Sequence, residues 1–136
     1  MAYWLVKSEP SKWSWDDQVG TGARGAPWDG VRNHLAKKYL QAMRKSDRAF
    51  FYHSNEDRAI VGVVEIIAPF QEDPADPPFG WVDVRARQPF AHPVTLSQIK
   101  ADPRLADMAL VRNARLSVQP VTDEEWAIVS AMGARG

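Results

Sequence analysis

Apolar residues fall in short blocks separated by polar and proline-rich stretches, and the spacing inside each block predicts its element. Tyr3–Lys7 is a nearly continuous apolar run, which predicts a buried strand that Ser8-Glu9-Pro10 ends. Within Ser11–Val19, Ser14 is placed to cap a short helix whose first turn carries Asp16 and Asp17. Gly20–Pro27 reads as a small-residue loop. In Val31–Met43, Leu35, Tyr39 and Met43 recur at helical spacing with Ala36 and Leu40 beside them, giving the clearest helical face in the chain. Arg48–His53 and Ile60–Ile67 are β-rich runs flanking Ser54-Asn55-Glu56-Asp57-Arg58, the pattern of an antiparallel hairpin. Pro69 to Gly80, with four prolines, predicts a long irregular loop. Trp81–Arg87 alternates polar and apolar residues as a half-buried strand does. Leu96–Lys100 and Asp102–Met108 predict short helices, and Arg115–Pro120 a strand. Thr122-Asp123-Glu124-Glu125 is a capping box opening a helix over Asp123–Met132 that Gly133 is expected to stop. This order of strands and helices predicts an α/β (α+β) fold, a small mixed sheet or open β-barrel with short helices packed around it.

At 136 residues a single domain spanning 1–136 is expected, with 45% hydrophobic and 25% charged residues. Zero cysteines exclude thiolate chemistry and fit a cytoplasmic protein, as does an N-terminus without a signal pattern. Lys and Arg total 17 and Asp and Glu total 17, so any nucleic-acid contact must come from a local patch. Six tryptophans is a high count for this length; core packing is their plain role, which a tryptophan placed in a polar loop fits less well.

No motif demands catalysis. His53 and Ser54 are adjacent on a strand and point to opposite faces, so they form no dyad. His34, His53 and His92 have no metal-ligand spacing, and Asp16-Asp17 and Glu124-Glu125 stand where helix starts favour acids anyway. Gly20-Thr21-Gly22-Ala23-Arg24-Gly25 is a literal G-x-G-x-x-G, but no strand leads into it and Pro27 and Gly30 delay the next helix. No catalytic residue, metal or cofactor is therefore expected. Trp28-Asp29-Gly30-Val31-Arg32-Asn33 is the most distinctive stretch: an indole, a carboxylate, a guanidinium and an amide at an expected helix start. Polar groups also stand where apolar strands end, at Lys7-Ser8-Glu9, at His53-Ser54-Asn55 and at Arg115 and Ser117. Strand ends meeting at one rim beside Trp28 would make a pocket for a nucleobase, with a stacking face and edge hydrogen bonds.

Five blocks carry a resemblance to a known family. They are Tyr3-Trp4-Leu5-Val6-Lys7-Ser8-Glu9-Pro10, Trp28-Asp29-Gly30-Val31-Arg32-Asn33, Phe50-Phe51-Tyr52-His53-Ser54, Ile60-Val61-Gly62-Val63, and Leu110-Val111-Arg112 with Arg115-Leu116-Ser117-Val118-Gln119-Pro120-Val121. In this order they resemble the EVE domain family. The resemblance implies a PUA-like fold, a curved sheet or open barrel surrounded by helices and related to YTH domains. It further implies a non-catalytic module that recognises a modified base in nucleic acid, modified cytosine in DNA ahead of RNA ligands. Carried onto this chain, Ser8, Glu9, Trp28, Asn33 and Ser54 would bind the base, with Phe79 of the proline-rich loop as a second aromatic wall. Lys7, Arg32 and Arg115 would approach the backbone. A small enzyme acting on modified nucleotides or nucleosides, using Glu9 or Asp29 as base, and a peptide-binding module are the alternatives. The chain departs from the family pattern at Trp13 (usually tyrosine), Gln18 (commonly leucine), His34-Leu35 and Ser46 (usually glycine).

Overall fold

The first apolar run forms β1 (Tyr3–Ser8), and its strict alternation sends successive side chains into two different cores. A computed structural model of the chain describes residues 1–134. Six strands make one mixed sheet in the order β2-β5-β4-β3-β1-β6, with β2 at Ala26–Trp28, β3 at Arg48–His53, β4 at Ala59–Glu72, β5 at Gly80–Thr95 and β6 at Val118–Val121. Only β1 and β3 pair in parallel among these; the other neighbours are antiparallel. The sheet curls into a half-barrel. Trp4, Val6, Phe51, Val64 and Val84 face one side, where they meet α1 (Trp15–Gly20) and α2 (His34–Ala42). Leu5, Phe50, Ile60 and Val94 face the other, under α3 (Leu96–Ala101), α4 (Ala109–Arg112) and α5 (Asp123–Ala134). Trp126 anchors α5, stacked on Tyr3 at 4.3 Å and on Phe50 at 3.9 Å between centroids.

Several expected elements change in extent. The hairpin is longer than its apolar runs suggest. β4 and β5 extend into the proline-rich stretch, leaving only residues 73–79 as a loop. Exposed Pro69 sits within β4, and the pairing steps from Ile60↔Val94 to Gly62↔Pro89, a register break that lets β5 carry Pro89 and Pro93. The Gly20–Pro27 loop holds one 3-10 turn and the short edge strand β2. The third glycine of the G-x-G-x-x-G has a packing cause: Gly25 has φ +72°, and a Cβ there would lie 2.4 Å from the Val84 carbonyl oxygen. That absence lets β2 close on β5. The helix expected from Val31 starts at His34, and Leu35, expected on its apolar face, is 43% exposed while Ala36, Leu40 and Met43 are buried. Residues 102–108 form only a 3-10 turn at Pro103–Leu105, and α4 follows where no helix is expected. Helix α5 runs through Gly133, which is buried against Phe90 instead of ending the helix.

Two backbone positions give opposite predictions. Ser46 has φ +79°, a conformation that costs an L side chain about 1–2 kcal/mol, partly offset by the flexibility glycine adds to the unfolded chain. Ser46→Gly should raise the unfolding free energy by up to about 1 kcal/mol in urea denaturation. A Cβ on Gly62 would meet the Trp15 ring at 2.5 Å, so Gly62→Ala should lower it by about 1–3 kcal/mol.

Candidate functional site

The edge strands of the half-barrel are β2 and β6, and a cavity of about 730 Å³ lies at the seam between β2 and the end of β1, the neighbour of β6. From one edge it is bordered by Ala26, Pro27 and Trp28 and the following Asp29, Gly30, Val31 and Arg32. From the other come Lys7, Ser8, Glu9, Lys12 and Trp13, with Ser54 at the end of β3 and Ser117 just before β6. The expected convergence of strand ends is therefore present.

Trp28 belongs both to the core and to the cavity. It lies on β2 opposite Val82, is 7% exposed, and meets Phe51 edge to face at 5.4 Å. Gly30, with φ +80°, turns the chain away toward α2. Ser8 donates its hydroxyl hydrogen to the Trp13 carbonyl at 2.6 Å, while its own carbonyl accepts the Ser54 N–H at 2.9 Å. Glu9 carries an exposed ion pair with Lys12 at 3.8 Å, and its carbonyl accepts the N–H groups of Lys12 and Trp13, folding this segment over the cavity. Lys7 donates from Nζ to the Ala114 carbonyl and lies 5.8 Å from the Tyr52 ring centroid; burial holds its ammonium below the ordinary lysine value. Burial likewise raises the Tyr52 phenol, and Arg58 opposes that shift.

Arg32 borders the cavity, but its guanidinium is directed to the proline-rich loop. Its Nε pairs with Asp76 at 2.9 Å, and it lies over the Phe79 ring at 5.5 Å. Three expected site residues are not among those bordering the cavity. Asn33 spends its side-chain oxygen on the Ala36 N–H at 2.9 Å and so caps α2. Phe79 packs on His34 at 5.1 Å and beneath Arg32 and Lys37. Arg115 is exposed in the turn before β6. His53 is buried, accepts the Trp15 N–H at 2.9 Å on Nε2 and holds Asp57 at 2.8 Å through Nδ1, so both ring nitrogens serve structure.

Sequence reading missed Lys12 and Trp13. Both follow Pro10 in a polar stretch without periodicity, and the two bonds to the Glu9 carbonyl, with the Ser8 hydroxyl on the Trp13 carbonyl, bring them back over the strand ends. Trp13 directs its indole N–H to Gln18 at 3.0 Å, so two of the departures from the family pattern are bonded to each other.

The EVE domain profile matches residues 2–132. Mouse thymocyte nuclear protein 1 is 34% identical over 164 residues, covering 96% of this chain and 73% of that protein. An NMR structure of a Rhodopseudomonas palustris protein superposes with TM-score 0.94 at 60% identity, covering 98% of this chain and 93% of the other. Human THYN1, solved in complex with 5-methylcytosine containing DNA, superposes with TM-score 0.92 at 28% identity over 100% and 99% of the two chains. The YTH domain of Zygosaccharomyces rouxii MRB1 shares the fold at TM-score 0.60 and 18% identity, over 99% and 85%. Matched by the family profile over nearly its whole length and by relatives more than 30% identical across it, the chain belongs to the EVE domain family.

Proposed function

We propose that the protein is a non-catalytic reader of a modified base in nucleic acid, modified cytosine in DNA above all, and that the extruded base enters the seam cavity. The observation that carries this reading is the cavity itself: an indole and convergent polar groups surround about 730 Å³ of open space. The same fold in human THYN1, solved with 5-methylcytosine containing DNA, supports the choice of ligand.

The energetics divide the work between ring and rim. Extruding a base costs a few kcal/mol, and stacking on an aromatic returns about 1–3 kcal/mol. Selectivity must then come from the edges. The amino group of cytosine needs an acceptor, which Glu9 or Asp29 offers, and its acceptor atoms need donors, which Lys7, Ser54 and Ser117 offer. A methyl group on the ring needs an apolar neighbour, available in Ala26, Pro27 and Val31. Ser8 serves by holding the Trp13 segment, Asn33 by fixing the start of α2, and Phe79 by seating Arg32. Arg32 and Lys12 would meet phosphates beside the extruded base, with Arg115 farther out. Two such contacts correspond to a log–log salt slope of about −2, so the affinity is only modestly salt-dependent.

A panel of oligonucleotides carrying cytosine, 5-methylcytosine, 5-hydroxymethylcytosine and N6-methyladenine, titrated by fluorescence anisotropy, tests the reading. Wild type should favour a modified cytosine. Trp28→Ala should lose about 1–3 kcal/mol of binding, and Glu9→Gln, at an exposed rim position, should narrow the preference without changing the melting temperature. Equal, weak binding to every oligonucleotide, unaffected by either variant, would reject it, and so would release of a chemically altered base.

Lys7 adds a pH signature. Its folded-state value lies below the ordinary 10.5, and an acceptor on the ligand favours the charged ammonium. Affinity should therefore fall as pH rises through the lowered value, and Lys7→Met should flatten that dependence in titrations between pH 7 and 10.5.

A further inference from the structure

Trp13 is held at three points. Its N–H donates to the Glu9 carbonyl at 2.9 Å, its carbonyl accepts the Ser8 hydroxyl hydrogen at 2.6 Å, and its indole N–H donates to the Gln18 side-chain oxygen at 3.0 Å. A partly exposed tryptophan beside an open cavity ordinarily has several rotamers open to it. Here the nitrogen edge of the ring is tied inward while the residue still borders the cavity.

The partner that ties it is unusual for its position. Gln18 on α1 is 0% exposed, within the layer that packs on β5. Its amide nitrogen donates to the Val84 carbonyl at 3.1 Å and reaches the Thr21 hydroxyl at 3.5 Å, which fixes the amide plane. Its oxygen is thereby aimed at the indole. Burying an amide costs free energy that hydrogen bonds only just recover, and an apolar side chain of similar size would fill the same space. What an apolar side chain cannot do is hold the Trp13 ring at one angle. Trp28 is fixed differently, through edge-to-face packing on Phe51 at 5.4 Å. Two immobilised indoles thus border one cavity, Trp28 from the edge strand β2 and Trp13 from the segment that follows β1.

We infer that Trp13 is the second aromatic wall of the base site and that Gln18 is a positioning residue that acts through it, setting the angle at which a planar base stacks. The assignment rests on the base-reading function proposed above and adds to it the residues that define the wall facing Trp28. A pre-set ring loses little rotational freedom when a base arrives, so the full stacking interaction contributes to affinity.

The test uses oligonucleotides containing one 5-methylcytosine or one cytosine, with wild type, Trp28→Ala, Trp13→Ala, Trp13→Phe and Gln18→Leu, and follows the indole N–H resonances by ¹H–¹⁵N NMR. Trp13→Ala should weaken binding of the modified oligonucleotide by about tenfold or more in a chain that stays folded at a lowered melting temperature, because the ring also packs on the core, and Trp13→Phe, which keeps part of that packing, should recover part of both losses. Gln18→Leu should remain folded, shift the Trp13 indole resonance and weaken the same ligand by roughly three- to tenfold, as expected for one lost hydrogen bond. Wild-type affinity in Trp13→Ala, alongside lost affinity in Trp28→Ala, would overturn the wall assignment and leave the base-reading function standing. Unchanged affinity and an unmoved resonance in Gln18→Leu would overturn the positioning role. No preference for modified cytosine in wild type would overturn the base-reading function and this assignment with it.

Discussion

Much of this architecture depends on one aromatic contact: the Trp15 ring lies over the bare backbone of Gly62. A Cβ on that glycine would stand 2.5 Å from the indole, so the two chains approach as closely as they do because nothing projects from β4 there. The ring then meets Phe51 edge to face at 5.3 Å, and the Trp15 N–H reaches the imidazole of His53 at 2.9 Å. Packing and a buried hydrogen bond together seat α1 on the sheet. Once α1 is seated, Gln18 faces Val84, and the segment from Glu9 to Trp13 closes over the ends of β1 and β3.

The open seam is the second consequence. A sheet that curls but does not close leaves two edges, and exposed edges must be covered or kept short. Here β2 is three residues long and carries Pro27, which has no N–H to offer another strand. α2 covers the inner face between the edges, contributing Ala36, Leu40 and Met43 to the core that Trp28 and Val118 share. The space left at the end of that seam is the cavity. The polar groups on its largely apolar lining follow from its position, because strand ends expose the carbonyls and polar side chains that the middle of the sheet cannot carry.

Arg32 illustrates how one residue serves two regions. At the helix start it is unfavourable for the dipole, and the structure supplies the reason it stands there: Asp76 and Phe79 hold it to the loop between β4 and β5. That exposed pair contributes little to global stability. Its effect is local, linking the cavity rim to residues 73–79 between β4 and β5.

The apolar run of Tyr3–Lys7 and the β-rich run of Arg48–His53, the Ser14 and Thr122 caps and the hairpin around Asn55 were legible because each depends on residues near one another in sequence. The likeness of five ordered blocks to one family gave the fold type as well. Other features were beyond local reading because their causes lie far away along the chain. Whether Asn33 reads a base or caps α2 depends on where the helix begins, and whether Gly25 binds a phosphate or admits a neighbouring strand depends on Val84. The sequence alone determined β1, β3, α2 and α5 in outline and that polar groups gather at strand ends, since periodicity and capping act over a few residues. Only the tertiary structure decided that Trp13 borders the cavity and Phe79 does not, because chain folding and long-range contacts, not spacing, set which rings face the same space.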